Sequence, residues 1–85
     1  MSVDDLKAIL IDLIAARNHL QSALRRINKA RNTMGLRFQG KVLRVRLEED
    51  LSRVQHTLEG PVKKSVAAFE AEGAKDGIDY NFPEF

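Results

Sequence analysis

The stretch Leu6–Met34, LKAILIDLIAARNHLQSALRRINKARNTM, decides the fold. Leu6, Leu13, Leu20, Ile27 and Met34 recur every seven residues. Three residues after the first four come Ile9, Ala16, Ala23 and Ala30. This spacing makes one continuous apolar face on a long helix. Ser2 is a candidate N-cap, with Asp5 in the capping-box position three residues on. Asp4 and Asp5 also suit the positive end of the helix dipole. Gly35 follows the last apolar contact and reads as the stop. The three alanines let a neighbouring backbone approach closely along that edge.

A second helical pattern follows in Leu47, Leu51, Val54, Leu58, Val62, Val66 and Phe69. Its register shifts near Gly60-Pro61. An interior proline removes a hydrogen bond and clashes with the preceding turn, so this helix is expected to kink or break there. Gly73 and Gly77 are expected to end it. Residues 36–46 are ambiguous, because Leu43, Val45 and Leu47 alternate with Arg44 and Arg46 as in a strand. A lone two-stranded ribbon is marginal in water, which favours a loop leading into a helix. The expected fold is therefore all-α. A helix over about 3–34, a loop over about 35–40 and a helix over about 41–72 form an antiparallel hairpin within residues 1–75. Pairing about the loop sets residues whose numbers sum to about 75 level with each other. Val62, Val66 and Phe69 then face Leu6 to Leu13, and Arg25 and Arg26 meet Glu49 and Asp50. Residues 76–85 read as an extended aromatic tail, with Ile78, Tyr80 and Phe82 at a period of two and Phe85 beyond them.

The chain has 85 residues and no cysteine. That length allows one domain, which buries only about 60% of its unfolded surface and is marginal alone. Without disulfides, stability must come from helix packing, oligomerisation or a partner. The longest apolar stretch, Ala8–Ala16, is interrupted by Asp12 and spans only about 14 Å as a helix, too little for a bilayer. The opening Met1-Ser2-Val3-Asp4-Asp5 is acidic, where a signal peptide needs a basic leader. The expectation is a cytoplasmic chain without membrane partners.

Enzymatic signals are poor. Gly35 to Gly40-Lys41 matches part of a phosphate loop, but Val42 replaces the magnesium-binding hydroxyl and a helix precedes it instead of a strand. None of the four serines sits in a nucleophile elbow. His19 and His56 fall level in the hairpin, with Glu59 nearby, yet the two-histidine spacing of a helical zinc site is missing. No catalytic residue, metal or cofactor is expected.

Charge is segregated. Between Leu13 and Leu47 lie nine basic residues and no acid: Arg17, Arg25, Arg26, Lys29, Arg31, Arg37, Lys41, Arg44 and Arg46. Nucleic acid is therefore a candidate partner, through Lys29, Arg31, Arg37, Lys41, Arg44 and Arg46 around the hairpin connection. Phe38 alone supplies an interleaved aromatic, which is little for stacking.

The first half of helix 1 is apolar on more than one face, because Ile11 and Ile14 point away from the main stripe. One partner helix cannot cover both. Ile11, Ile14, Ile78, Tyr80, Phe82 and Phe85 are thus the candidate protein-interaction residues. The expected function is a non-enzymatic regulatory or adaptor protein that binds other proteins and itself. The simplest assembly is a two-fold dimer forming a four-helix bundle. The alternative is a dimeric nucleic-acid-binding protein using the basic tips.

Overall fold

A computed structural model describes residues 1–30, 37–78 and 80–85, with the backbone alone at 37–40. Among these residues every regular element is helical. Helix α1 runs Val3–Ala30, α2 runs Arg37–Thr57, and α3 runs Lys63–Asp76. A π-helical segment, Leu58–Val62, joins α2 to α3. α1 packs antiparallel against this second rod as a hairpin. No described helix is long and apolar enough to cross a membrane.

The start of α1 is fixed by the expected capping box. The Asp5 amide donates to Ser2 Oγ at 3.1 Å, and the Ser2 amide donates to Asp5 Oδ2 at 3.2 Å. The Ser2 carbonyl accepts from the Leu6 amide at 3.1 Å, the first bond of the helical ladder. Two donors that a helix start leaves unpaired are thereby satisfied. The expected continuation over 31–34, and the stop at Gly35, lie outside the described residues.

The second rod corrects two boundaries. α2 begins at Arg37, so residues 37–40 are helix where a loop was expected, and 37–46 is not a strand. Helix continues past 72 to Asp76. Gly73 lies inside α3, and the stop belongs to Gly77, whose φ of 71° places it in the left-handed region. That conformation costs glycine nothing sterically. The Ile78 amide closes the turn on the Gly73 carbonyl at 2.8 Å, the long-range bond of a Schellman motif.

Gly60-Pro61 interrupts the regular ladder without a non-helical break. Thr57 and Lys63, flanking the segment, both keep right-handed helical dihedrals. The Lys63 amide reaches the Leu58 carbonyl, five residues back, and also Gly60. An extra residue in the turn relieves the clash between a proline ring and the carbonyl four residues earlier. The Thr57 hydroxyl donates to the Arg53 carbonyl, and the Ser65 hydroxyl to the Pro61 carbonyl, both at 3.0 Å. Such back-bonds bend helices slightly. The wider turn also rotates the apolar positions. Val54, Leu58, Val62 and Val66 are separated by three steps of four, and each such step drifts about 40° around a regular helix. A π turn holds more residues per turn and absorbs that drift, so Leu58, Val62 and Val66 are all buried.

The core is a cluster of Leu6 and Leu10 from α1 with Leu58, Val62 and Val66. Leu13, Ile14, Val54, Phe69 and Phe82 pack around it. Val62, Val66 and Phe69 thus share a cluster with Leu6, Leu10 and Leu13, and Val54 and Leu58 join it from earlier in the second rod. Leu6 and Leu10, in the first turns of α1, pack with Leu58, Val62 and Val66, so the later turns of α3 run past the start of α1, and the tail supplies the missing layer. After Gly77 it folds back, bringing Tyr80 edge-on to Phe69 at 6.4 Å and Phe82 to 6.4 Å from the same ring. The molecule measures 60 × 16 × 15 Å, and its radius of gyration is 17.5 Å. A compact chain of this length would have about 12 Å.

Candidate self-association surface

The structure divides the candidate interaction residues. Ile14 stands four residues after the fully buried Leu10, about 40° around the helix, and packs on the core. Ile11 follows Leu10 directly, about 100° away, and stays 54% exposed. In the tail, Tyr80 and Phe82 turn inward, with ring centroids 6.3 Å apart. Ile78 and Phe85 remain exposed. The tail thus covers part of the apolar surplus and leaves Ile9, Ile11, Ile78 and Phe85 in solvent.

The larger uncovered surface lies along the rest of the rod. Leu13, Leu20, Leu24 and Ile27 on α1, and Leu47, Leu51 and Val54 on the second rod, are all half-buried. None reaches the burial of the Leu6–Leu10 cluster. Leu20, the central residue of the heptad row, is among them. A single neighbouring helix screens one flank of such a side chain and leaves the other wet. Among the described residues, burial becomes complete near the chain termini, where the tail adds a third layer.

Val42, Leu43 and Val45 are also exposed, a second apolar cluster near the start of α2. Sequence reasoning passed over them as interaction residues, although the signal was present. Leu43, Val45 and Leu47 alternate, and alternation on a helix places neighbours about 200° apart. Three apolar residues so spaced cannot share one buried side.

The cations near the start of α2 are largely in solvent. Lys29, Lys41 and Arg46 are exposed, Arg44 is half-buried, and Arg31 and the Arg37 side chain lie outside the described residues. Arg25 and Arg26 are exposed and do not pair with Glu49 and Asp50 as the loop-centred register implied. Among the described residues the ion pairs run along α2 itself: Arg44 with Glu48 at 3.9 Å and Arg53 with Asp50 at 3.6 Å. One-turn spacing on a single helix brings such groups together without any help from the partner helix. Arg17 Nε and Arg44 Nε are shielded from water and have no hydrogen-bond partner among the described residues.

Among the described residues no three His, Asp or Glu side chains gather to hold a metal. His19 and His56 are both exposed. The phosphate-loop match falls partly outside the described residues, and its Lys41 and Val42 lie on α2. A shallow groove lined by Glu70, Ala74, Gly77, Ile78 and Tyr80 borders the tail. No protein-family model, curated protein or solved structure matches the chain.

Proposed function

We propose that the chain acts by binding rather than catalysis, as a regulatory or adaptor protein whose working form is a homodimer of hairpins. One observation carries this reading: among the described residues, complete burial is confined to one end of the rod. Apolar stripes on both helices continue beyond that end, only half-covered. The accessible surface is 6480 Å², where a compact monomer of 9.6 kDa has about 5,100 Å². The difference, roughly 1,400 Å², exceeds the roughly 800 Å² that each partner contributes to an ordinary stable interface. Two hairpins burying these stripes against each other make a four-helix bundle, the arrangement in which such stripes become a core. Size exclusion with light scattering tests it. A mass of twice 9.6 kDa at micromolar concentration supports the reading, and a monomer that melts cooperatively refutes it.

A second reading has its own observation. Residues 17–47 hold nine cations and no acid, and Arg25, Arg26, Lys29, Lys41 and Arg46 are exposed. This end of the rod would meet phosphates, each one neutralised adding about 0.9 to the slope of log affinity against log salt on duplex DNA. A slope near zero, or no retention of a random duplex at low salt, removes this reading and leaves the first intact.

A further inference from the structure

We infer that two copies of the chain pair antiparallel, the α1–α2 end of one hairpin lying beside the terminal end of the other. This rests on the homodimer reading and specifies its geometry. By helical rise, residues 37–56 take up about the first 29 Å of the 60 Å rod, with the later turns of α1 alongside. Residues 17–56 carry ten Lys and Arg against three Asp and Glu, a net +7. Residues 1–16 and 57–85 carry four Lys against nine Asp and Glu, a net −5. The hairpin is therefore a long charge dipole. Its surface shows this directly. Arg25, Arg26, Lys29, Lys41 and Arg46 are exposed toward one end, and Asp4, Asp12, Glu70, Glu72 and Asp76 toward the other. The pairs Arg44–Glu48 and Asp50–Arg53 lie within the cationic half and leave its net charge unchanged.

Apolar burial does not choose an orientation. Exposed apolar clusters stand at both ends, Val42, Leu43 and Val45 at one and Ile9, Ile11 and Ile78 at the other. Charge does choose. Packed helices lie about 8–10 Å apart, comparable to the screening length of about 8 Å at physiological salt and well inside the roughly 30 Å of dilute salt, so the pairing is felt most strongly at low salt. A parallel pair sets +7 beside +7 and −5 beside −5. An antiparallel pair sets unlike ends together twice. The two-fold axis then lies across the rod, and each patch meets its complement on the other copy.

The absence of native cysteine makes the test direct. Lys41 and Lys75 are exposed residues near opposite ends of the second rod. A spin label is placed on the full chain at Lys41→Cys, and a mixed sample combines Lys41→Cys with Lys75→Cys chains. The expected intermolecular distance is about 50 Å between two Lys41 labels, and about 20 Å or less between Lys41 and Lys75 labels. The reverse pattern overturns the antiparallel arrangement and leaves the homodimer standing. No intermolecular dipolar signal, with a monomer mass, overturns both. Salt supplies a second readout. The unlabelled dimer should dissociate several-fold more readily at about 0.5 M than at about 0.05 M salt, because unlike charges are being screened. A dimer that tightens over this range contradicts the pairing.

Discussion

The ring of Tyr80 lies against Gly73 so closely that a Cβ there would stand 2.6 Å from both Cδ2 and Cε2. The same Cβ would meet the Ile78 carbonyl at 2.8 Å. The bare helix surface at Gly73 is what lets the tail return along α3. Gly73→Ala should therefore detach Tyr80 and Phe82 from Phe69. Alanine gains about 1 kcal/mol of helix propensity, while overpacking costs about 1–3 kcal/mol, so a net loss is expected. Gly60→Ala is the comparison, since a Cβ there meets nothing within 4 Å beyond its chain neighbours. It should change stability by less than about 1 kcal/mol, because the helix propensity that alanine adds is offset by the Pro61 ring, which disfavours a helical backbone at a preceding residue that carries a Cβ. Urea melts of both variants decide it, and a Gly73→Ala protein as stable as Gly60→Ala contradicts the account.

Pro61 should matter less than an interior proline usually does. Replacing proline by alanine in a regular helix gains about 3 kcal/mol. Here the wide turn already avoids the ring clash, and the spacing of Leu58, Val62 and Val66 needs that turn to keep all three buried. Pro61→Ala should change stability by less than about 1 kcal/mol. A gain near 3 kcal/mol would mean that the proline, not the apolar spacing, imposes the π turn.

Burial separates two leucines of the same stripe. Leu10 is fully buried within one chain, and Leu10→Ala should cost about 2–5 kcal/mol. Leu24 is half-buried on the open stripe, and Leu24→Glu should weaken dimerisation while the hairpin still forms. Circular dichroism with sedimentation checks this pair. Unaltered dimerisation in Leu24→Glu removes that stripe from the interface.

The hydrogen bonds from Ser2, chiefly its hydroxyl interaction and then its amide, hold the Asp5 carboxyl below its ordinary value of 3.8. A depressed carboxylate contributes stability above the unfolded value and loses it as pH falls through the folded one. The capping box should thus be intact at neutral pH and fray below about pH 4. Amide shifts of Ser2 and Asp5 followed by NMR should titrate together below 3.8. Titration at or above that value contradicts the cap geometry.

Much of this architecture was legible in the residues. Ser2 and Asp5 announced the helix start, the heptads of α1 announced its face, and Gly60-Pro61 marked the interruption. The form of the interruption was written in three successive steps of four, which a regular helix cannot keep on one side. The start of α2 was obscured because Leu43, Val45 and Leu47 alternate, a pattern that a half-covered helix produces as readily as a strand. The pairing of Arg25 and Arg26 with Glu49 and Asp50 was misjudged because loop position fixes level but not facing. Ile11 and Ile14 both read as lying off the main stripe of Leu6, Leu10 and Leu13, although Ile14 stands only about 40° around the helix from Leu10. How far the tail reaches depends on how far α3 runs past the start of α1, which apolar spacing does not state.

Self-association along the half-covered stripes is the claim on which the functional reading stands, and the concentration dependence of thermal melting tests it most directly. A folded dimer is stabilised by mass action, about 2.7 kcal/mol for a hundredfold rise in concentration. For a dimer of two such chains unfolding as one unit, that corresponds to a rise in Tm of about 5–10 °C between roughly 1 and 100 µM. The account predicts that rise, with a mass of twice 9.6 kDa below the transition. A Tm independent of concentration, with a mass of 9.6 kDa throughout, would contradict it.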